Sequence, residues 1–206
     1  MQIELVFPMH GDPIPTDHAY PLYGALSAVV PQFHEADSPL RFAPITGDPD
    51  GDGRLHLTDH SLLRVRLPED AVRTVLPLAG KRLDVAGSAV RLGVPSVRTL
   101  IPSPMLVSRI VTFKNAEEPG KFLTTARQQL AELGVTGEPQ LPLHLEGDRA
   151  GEPRRRVVRI KGVAIVGYSL MVAELSAADS IRLQEEGLGG RTQLGCGFFV
   201  PTRGGT

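Results

Sequence analysis

The chain has 206 residues, 22 Lys and Arg against 23 Asp and Glu, and a net charge of −1. That length holds one large domain or two small ones with a real core, and the balanced charge counts against a nucleic-acid binder, above all one that coats nucleic acid non-specifically, because phosphate contacts need clustered Lys and Arg. The single cysteine, Cys196, excludes a disulfide framework and a cysteine zinc cluster; no apolar run reaches the roughly 18 residues of a membrane span, and no basic region precedes an apolar core at the start. The expectation is a cytoplasmic protein with no membrane partner.

Gln2 to Phe7 alternates like a strand, and Pro8 to Pro15 reads as a proline-interrupted loop. A helix is predicted from an Asp17 N-cap through Val30, where Pro31 stops it. Short strands follow at Leu40–Ile45 and His60–Leu67. A helix over Pro68–Leu78 starts with proline in its first turn, and Lys81–Val97 reads as a strand pair. This β-α-β-β-α-β order is the ferredoxin-like arrangement. After a linker around Pro95 and Ile101–Pro104 the plan repeats. Leu106–Lys114 is a strand, Glu117–Leu133 a helix closed by Gly134, and Arg156–Leu175 two long strands turning near Gly162. Ser176 and Asp179 have capping-box spacing before a helix, and Gly195–Pro201 is the last strand. Residues 134–153 read as a loose acidic loop. The predicted fold is α+β, two tandem ferredoxin-like (RRM-like) domains at 1–100 and 105–206.

Charge is segregated along this plan. Acids gather in 35–59 and 117–152, whereas Arg154, Arg155, Arg156, Arg159 and Lys161 come almost together. On a strand Arg155, Arg159 and Lys161 would share a face, so this run is the leading candidate for contact with an anionic partner; a solvated strand edge is the plainer alternative. Lys114 and Lys121 are secondary candidates. Between the last helix and last strand lie five glycines in eleven residues, Gly187, Gly189, Gly190, Gly195 and Gly197, with Arg191 among them. Glycine gathers where backbone turns with positive φ or approaches something closely. Free N–H groups beside an arginine there suit phosphate oxygens; the alternative is a tight turn before an edge strand. Cys196 inside this loop reads as a small filler residue.

Several stretches together resemble the endoribonucleases that cut CRISPR precursor RNA, the Cas-six family of repeat-associated RNA-binding proteins, in its myxobacterial-type branch. They are Phe7-Pro8-Met9-His10-Gly11-Asp12-Pro13-Ile14-Pro15, Asp17-His18-Ala19-Tyr20-Pro21-Leu22-Tyr23, Phe33-His34-Glu35, Leu76–Lys81, Leu92–Pro95, Ile160-Lys161-Gly162 and the glycine loop. The resemblance touches nearly the full length. It implies two ferredoxin-like halves, and metal-independent cleavage in which a 2′-hydroxyl attacks the adjacent phosphate to leave a 2′,3′-cyclic phosphate. It implies CRISPR repeat RNA, as precursor and as mature guide RNA, for a partner, with other subunits of a surveillance complex. No cofactor and no metal are expected.

Such a reaction needs one group to take the 2′ proton and another to protonate the leaving oxygen. Histidine does either near neutrality because its unperturbed pKa is about 6.5. The resemblance puts that group around the first helix, where His10, His18 and His34 lie. His34 is the first choice, His18 the second, and Tyr23, one turn from Tyr20, is a phenol that would assist or position the phosphate. His10 sits in turn chemistry; His56, His60 and His144 read as surface residues. A rival reading is a non-catalytic guide-RNA-binding subunit of the same fold. A remoter one rests on Asp48–Asp59, whose acids and Gly53 approach calcium-loop spacing. Phe42–Ile45 before it is not helical and Leu62–Leu67 after it alternates, so an acidic hairpin turn is expected instead.

Overall fold

The computed structural model describes residues 1–202, so the last four residues of the predicted second domain lie outside the described part. Contacts divide the chain into two compact units. The first takes Met1–Thr99 with Gln193–Gly195, and the second takes Leu100–Thr192 with the described residues from Cys196 on. Both are mixed α and β with antiparallel sheets.

The first unit runs β1 (Gln2–Gly11), β2 (Ile14–Pro15), α1 (Ala19–Val29), β3 (Arg41–Phe42), β4 (Asp48–Pro49), β5 (Arg54–His56), β6 (Leu62–Pro68), α2 (Val72–Val75), β7 (Arg82–Val85), β8 (Ser88–Leu92) and β9 (Ser96–Thr99). Its main sheet has the order β3-β6-β1-β8-β7, with β9 also paired to β1. Ile3, Leu5, Phe7 and Met9 alternate along β1 and are buried. The helix α1 buries Ala19, Leu22, Tyr23 and Leu26, the i, i+3, i+4, i+7 stripe of an amphipathic helix.

Four expectations need correcting here. The predicted loop from Pro8 is strand as far as Gly11, because β1 changes partner at the proline: residues 2–8 pair with β6 and 9–11 with β8. A residue without an N–H fits at such a change. The N-cap of α1 is His18, not Asp17; its carbonyl accepts from Leu22 N at 2.8 Å. The helix predicted over 68–78 is a four-residue α-helix between two 3₁₀ turns; Pro77 has no N–H to continue an α ladder. Lys81–Val97 is three strands rather than two. Ala86 (φ 55°) and Gly87 (φ 81°) make the tight turn between β7 and β8.

The second unit runs β10 (Leu106–Val111), α3 (Pro119–Glu132), β11 (Glu138–Gln140), β12 (Arg155–Ile160), β13 (Val163–Ala173), α4 (Ala177–Glu186) and β14 (Phe199–Pro201). The order is β11-β13-β10-β14, with β12 paired to β13. Residues of one parity on β13, Tyr168, Leu170 and Val172, meet Phe122, Ala126 and Leu130 of α3 and Leu183 of α4 in one core. Phe122 packs on Phe113 at 4.6 Å between ring centroids and on Tyr168 at 5.0 Å, and the Tyr168 hydroxyl donates to Glu117 O at 2.7 Å. Ser176 caps α4 by accepting from Asp179 N at 3.1 Å. None of the helices among the described residues is long and apolar enough to cross a membrane.

Candidate functional site

Proline at position 31 ends α1 and restarts the chain as a 3₁₀ turn, Pro31–His34. Phe33 points into the core, where its ring meets Phe42 edge-on at 6.3 Å. Anchoring Phe33 leaves the next residue, His34, exposed. Its imidazole then reaches back over the helix. The Tyr23 hydroxyl lies 2.8 Å from His34 Nδ1, and the two rings are 5.7 Å apart. Tyr23 itself is 9% exposed, so a phenol fixed in the core of the unit holds an exposed imidazole by one nitrogen. Nε2 has no hydrogen bond among the described residues. Histidine held at Nδ1 with Nε2 open can accept or donate a proton at that nitrogen. Gln193, which the sequence did not single out, donates through Nε2 to the carbonyls of Glu35 and Ala36 at 3.1 and 3.2 Å, steadying the chain just after His34.

His18 is a different kind of histidine. It is 1% exposed, its Nε2 accepts from Ile45 N at 2.9 Å and its Nδ1 lies 2.9 Å from Pro15 O. Accepting at Nε2 requires the proton on Nδ1, which donates to that carbonyl. Both nitrogens tie loops to the start of α1, so the ring is a structural cross-link, and the candidacy of His18 gives way to that of His34. His10 is exposed on β1 opposite Arg91. His56 and His60 are exposed, but His144 is only half exposed and its Nε2 is buried, contrary to the surface reading.

The basic run divides between two faces. Arg155 and Arg159 share one side of β12 and are exposed; Arg154 and Arg156 fall on the other and are half-buried. Lys161 is not on the strand. With φ of 48° it shares the turn with Gly162 (φ 83°), the two-residue connection that joins twisted strands, and is exposed at the tip. Lys114 and Lys121 are exposed, and Lys121 lies 3.8 Å from Glu118.

The glycine loop departs from the expectation of free N–H groups. Gly187 donates to Leu183 O at 3.0 Å, Gly189 to Gln129 Oε1 at 3.0 Å, Gly190 to Thr112 O at 2.9 Å and Gly197 to Ile110 O at 2.8 Å. At Gly197, with φ of 69°, a Cβ would stand 2.1 Å from Leu188 O. These glycines let backbone pack on backbone. Arg191 remains exposed in the loop, and Gly195 is buried. Burial pushes the Cys196 thiol up to about 11, against the pull of Arg191 and the Thr112 hydroxyl, so it stays protonated near neutrality and is no nucleophile.

Asp48–Asp59 forms a hairpin, with β4 pairing β5. Asp50 Oδ1 accepts from Asp52 N and Arg54 N at 2.8 and 3.1 Å, an Asx-type turn that uses the carboxylate on its own backbone. Among the described residues no group of three His, Cys, Asp or Glu side chains is placed to hold a metal ion.

Comparison with known proteins bears on this geometry. The family model described as Cas6 Crispr matches residues 3–204. The CRISPR-associated endonuclease Cas6 of Myxococcus xanthus (strain DK1622) is 40% identical over 199 residues, 97% of this chain and 81% of that protein. Among solved structures, a CRISPR associated protein Cas6 superposes with a TM-score of 0.64 at 15% identity, over 98% of this chain and 99% of the other. An RAMP protein binding different RNA substrates gives 0.61 at 15%, over 97% and 98%. CRISPR endoribonuclease Cse3 bound to 19 nt RNA gives 0.55 at 12%, over 97% and 98%. At such identities the structures establish likeness of fold.

Proposed function

Since the chain belongs to the Cas6 family, we propose that it is a metal-independent endoribonuclease that binds CRISPR repeat RNA and cuts precursor transcripts into guide RNAs. The observation that carries this reading is the Tyr23–His34 pair, an exposed imidazole held at Nδ1 with Nε2 open. His34 Nε2 takes the proton of a ribose 2′-hydroxyl. The 2′ oxygen then bonds to the adjacent phosphorus, the bond from phosphorus to the 5′ oxygen breaks, and a water molecule gives the departing 5′ oxygen a proton, leaving a 2′,3′-cyclic phosphate and a 5′-hydroxyl. Positive charge gathered at His34 is balanced by Nδ1–H donating to the Tyr23 oxygen, which makes Tyr23 a positioning residue. Proton transfer of this kind contributes roughly 10²- to 10⁴-fold, and holding the linkage in line supplies much of the remainder.

In the first unit β1 lies between β6 and β8, and in the second β10 lies between β13 and β14. We read these as two ferredoxin-like domains. The first supplies His34 and Tyr23. The second supplies exposed cations for phosphates: Arg155, Arg159 and Lys161 on the hairpin and Arg191 in the loop. The guide RNA stays bound after the cut and passes with the protein to other subunits in the cytoplasm.

The test uses the repeat RNA of the protein's own locus. A single cut is expected, with product ends diagnosed as cyclic phosphate and 5′-hydroxyl. A 2′-deoxy substitution at the scissile nucleotide is expected to stop cleavage and leave binding intact. Continued cutting of the deoxy substrate refutes 2′-hydroxyl attack. Tight binding with no cut of the all-ribose RNA makes the protein a non-catalytic guide-RNA subunit.

A further inference from the structure

The core of the second unit lies on the sheet face that carries Tyr168, Leu170 and Val172, beneath α3 and α4. Residues of the other parity occupy the opposite face, and there the sequence has placed arginine three times. Arg156 stands across from Gly167, and Ser169 N–H donates to Arg154 O at 3.0 Å, which sets Arg154 across from Ser169. Arg109 comes from β10, at the irregularity between Ser108 and Val111 where the pairing with β13 shifts. One hydroxyl joins the two strands at this point. Ser169 Oγ donates to Arg109 O at 2.7 Å and accepts from Arg156 Nε at 3.3 Å. Arg154 Nε is anchored on Leu143 O at 3.0 Å. Arg154 and Arg156 take part in no ion pair among the described residues, unlike Arg64, Arg66 and Arg127.

We infer that Arg109, Arg154 and Arg156, gathered around Ser169, form a binding site for a phosphodiester group of the RNA backbone. This rests on the reading of the chain as an RNA-binding Cas6 protein, and it adds Arg109, which stands some 45 residues before the arginine run in sequence. The cluster is a poor arrangement for the free protein. Burial, and then the neighbouring Arg156, hold the Arg109 guanidinium below its ordinary range; burial, and then Arg154, do the same to Arg156. Like charges drawn into partial burial repel, and an anion bound among them relieves both costs. Guanidinium groups suit phosphate because their planar donors meet two oxygens at once. The exposed Arg155 and Arg159 lie on the other face, so this is a second set of contacts.

The test measures binding of repeat RNA, 2′-deoxy at the scissile nucleotide, across a salt series. The proteins are wild type, Arg109→Gln, the double variant Arg154→Gln/Arg156→Gln, and Arg127→Gln as a control from the surface of α3. Each triad variant is expected to bind roughly ten-fold more weakly. The slope of log affinity against log salt should shrink by about 0.7–0.9 for each phosphate no longer neutralised, with the melting temperature of the free protein unchanged or raised. The control keeps the wild-type slope. An unchanged slope in the triad variants overturns the site, as does weaker binding that follows a fall in melting temperature. If Arg109→Gln does not fold, the double variant on the hairpin carries the test. If the wild type binds no repeat RNA, the functional reading falls and inorganic phosphate judges the site. At constant ionic strength, phosphate should then raise the melting temperature of the wild type more than that of the variants. Equal responses reject the site.

Discussion

Replacing Tyr23 with phenylalanine removes one oxygen and leaves the ring in its packed position on α1. What disappears is the 2.8 Å bond between Tyr23 Oη and His34 Nδ1. Between neutral partners such a bond contributes about 0.5–1.5 kcal/mol, and with a charged partner about 1.5–3 kcal/mol. His34 passes from neutral to imidazolium as it takes the 2′ proton, so the bond strengthens by about 1–1.5 kcal/mol on the way to the transition state. That difference is close to ten-fold in rate. The assay is single-turnover cleavage of repeat RNA at saturating protein, with RNA affinity and melting temperature measured alongside. We expect the rate to fall about ten-fold while affinity stays within about two-fold, since an interaction made stronger only in the transition state lowers the rate without loosening the substrate. An unchanged or faster rate would refute the role of Tyr23 in stabilising a histidine base. A loss of affinity as large as the loss of rate would make Tyr23 a binding residue instead.

Two further predictions concern the glycine loop. Gly197→Ala should destabilise the protein by at least about 2 kcal/mol, because the residue needs left-handed backbone and its Cβ would meet Leu188 O at 2.1 Å. Gly190→Ala, where the nearest atom is 3.8 Å away, should stay within about 0.5 kcal/mol of wild type in urea denaturation; equal effects would contradict the packing role. Cys196 predicts an alkaline limb. Its thiol titrates at about 11 when folded against an ordinary value of 9.0. The stability this gives is complete below pH 9 and disappears as pH rises to about 11, on the order of 2–3 kcal/mol. Cys196→Ala should lack that part of the decline, and parallel curves for the two proteins would refute it.

Much of this was readable from patterns that local physics controls. Apolar alternation located β1 and β6, Pro31 marked the end of α1, and Ser176 with Asp179 marked the start of α4. Patterns failed where a distant partner decides the outcome. Pro8 looked like a strand stop, but the strand on either side of it pairs with different neighbours. The loop glycines looked like free donors because Thr112, Ile110 and Gln129, which take their N–H groups, lie far away in sequence. His18 and His34 have the same composition and both lie near a helix end. Only the fold separates a ring with both nitrogens satisfied at 1% exposure from one with a nitrogen left open. Arg109 sat unnoticed in an apolar strand, since neither the shifted pairing at Ser108 nor the turn of Arg156 toward the same face can be read from spacing.

The most direct measurement is cleavage of the locus's own repeat RNA in excess EDTA by wild type and by His34→Ala. The account predicts a single cut by the wild type under chelation, slowed roughly 10²- to 10⁴-fold in the variant while RNA binding persists. Cutting by His34→Ala at the wild-type rate, or cutting that EDTA abolishes in the wild type, would contradict it.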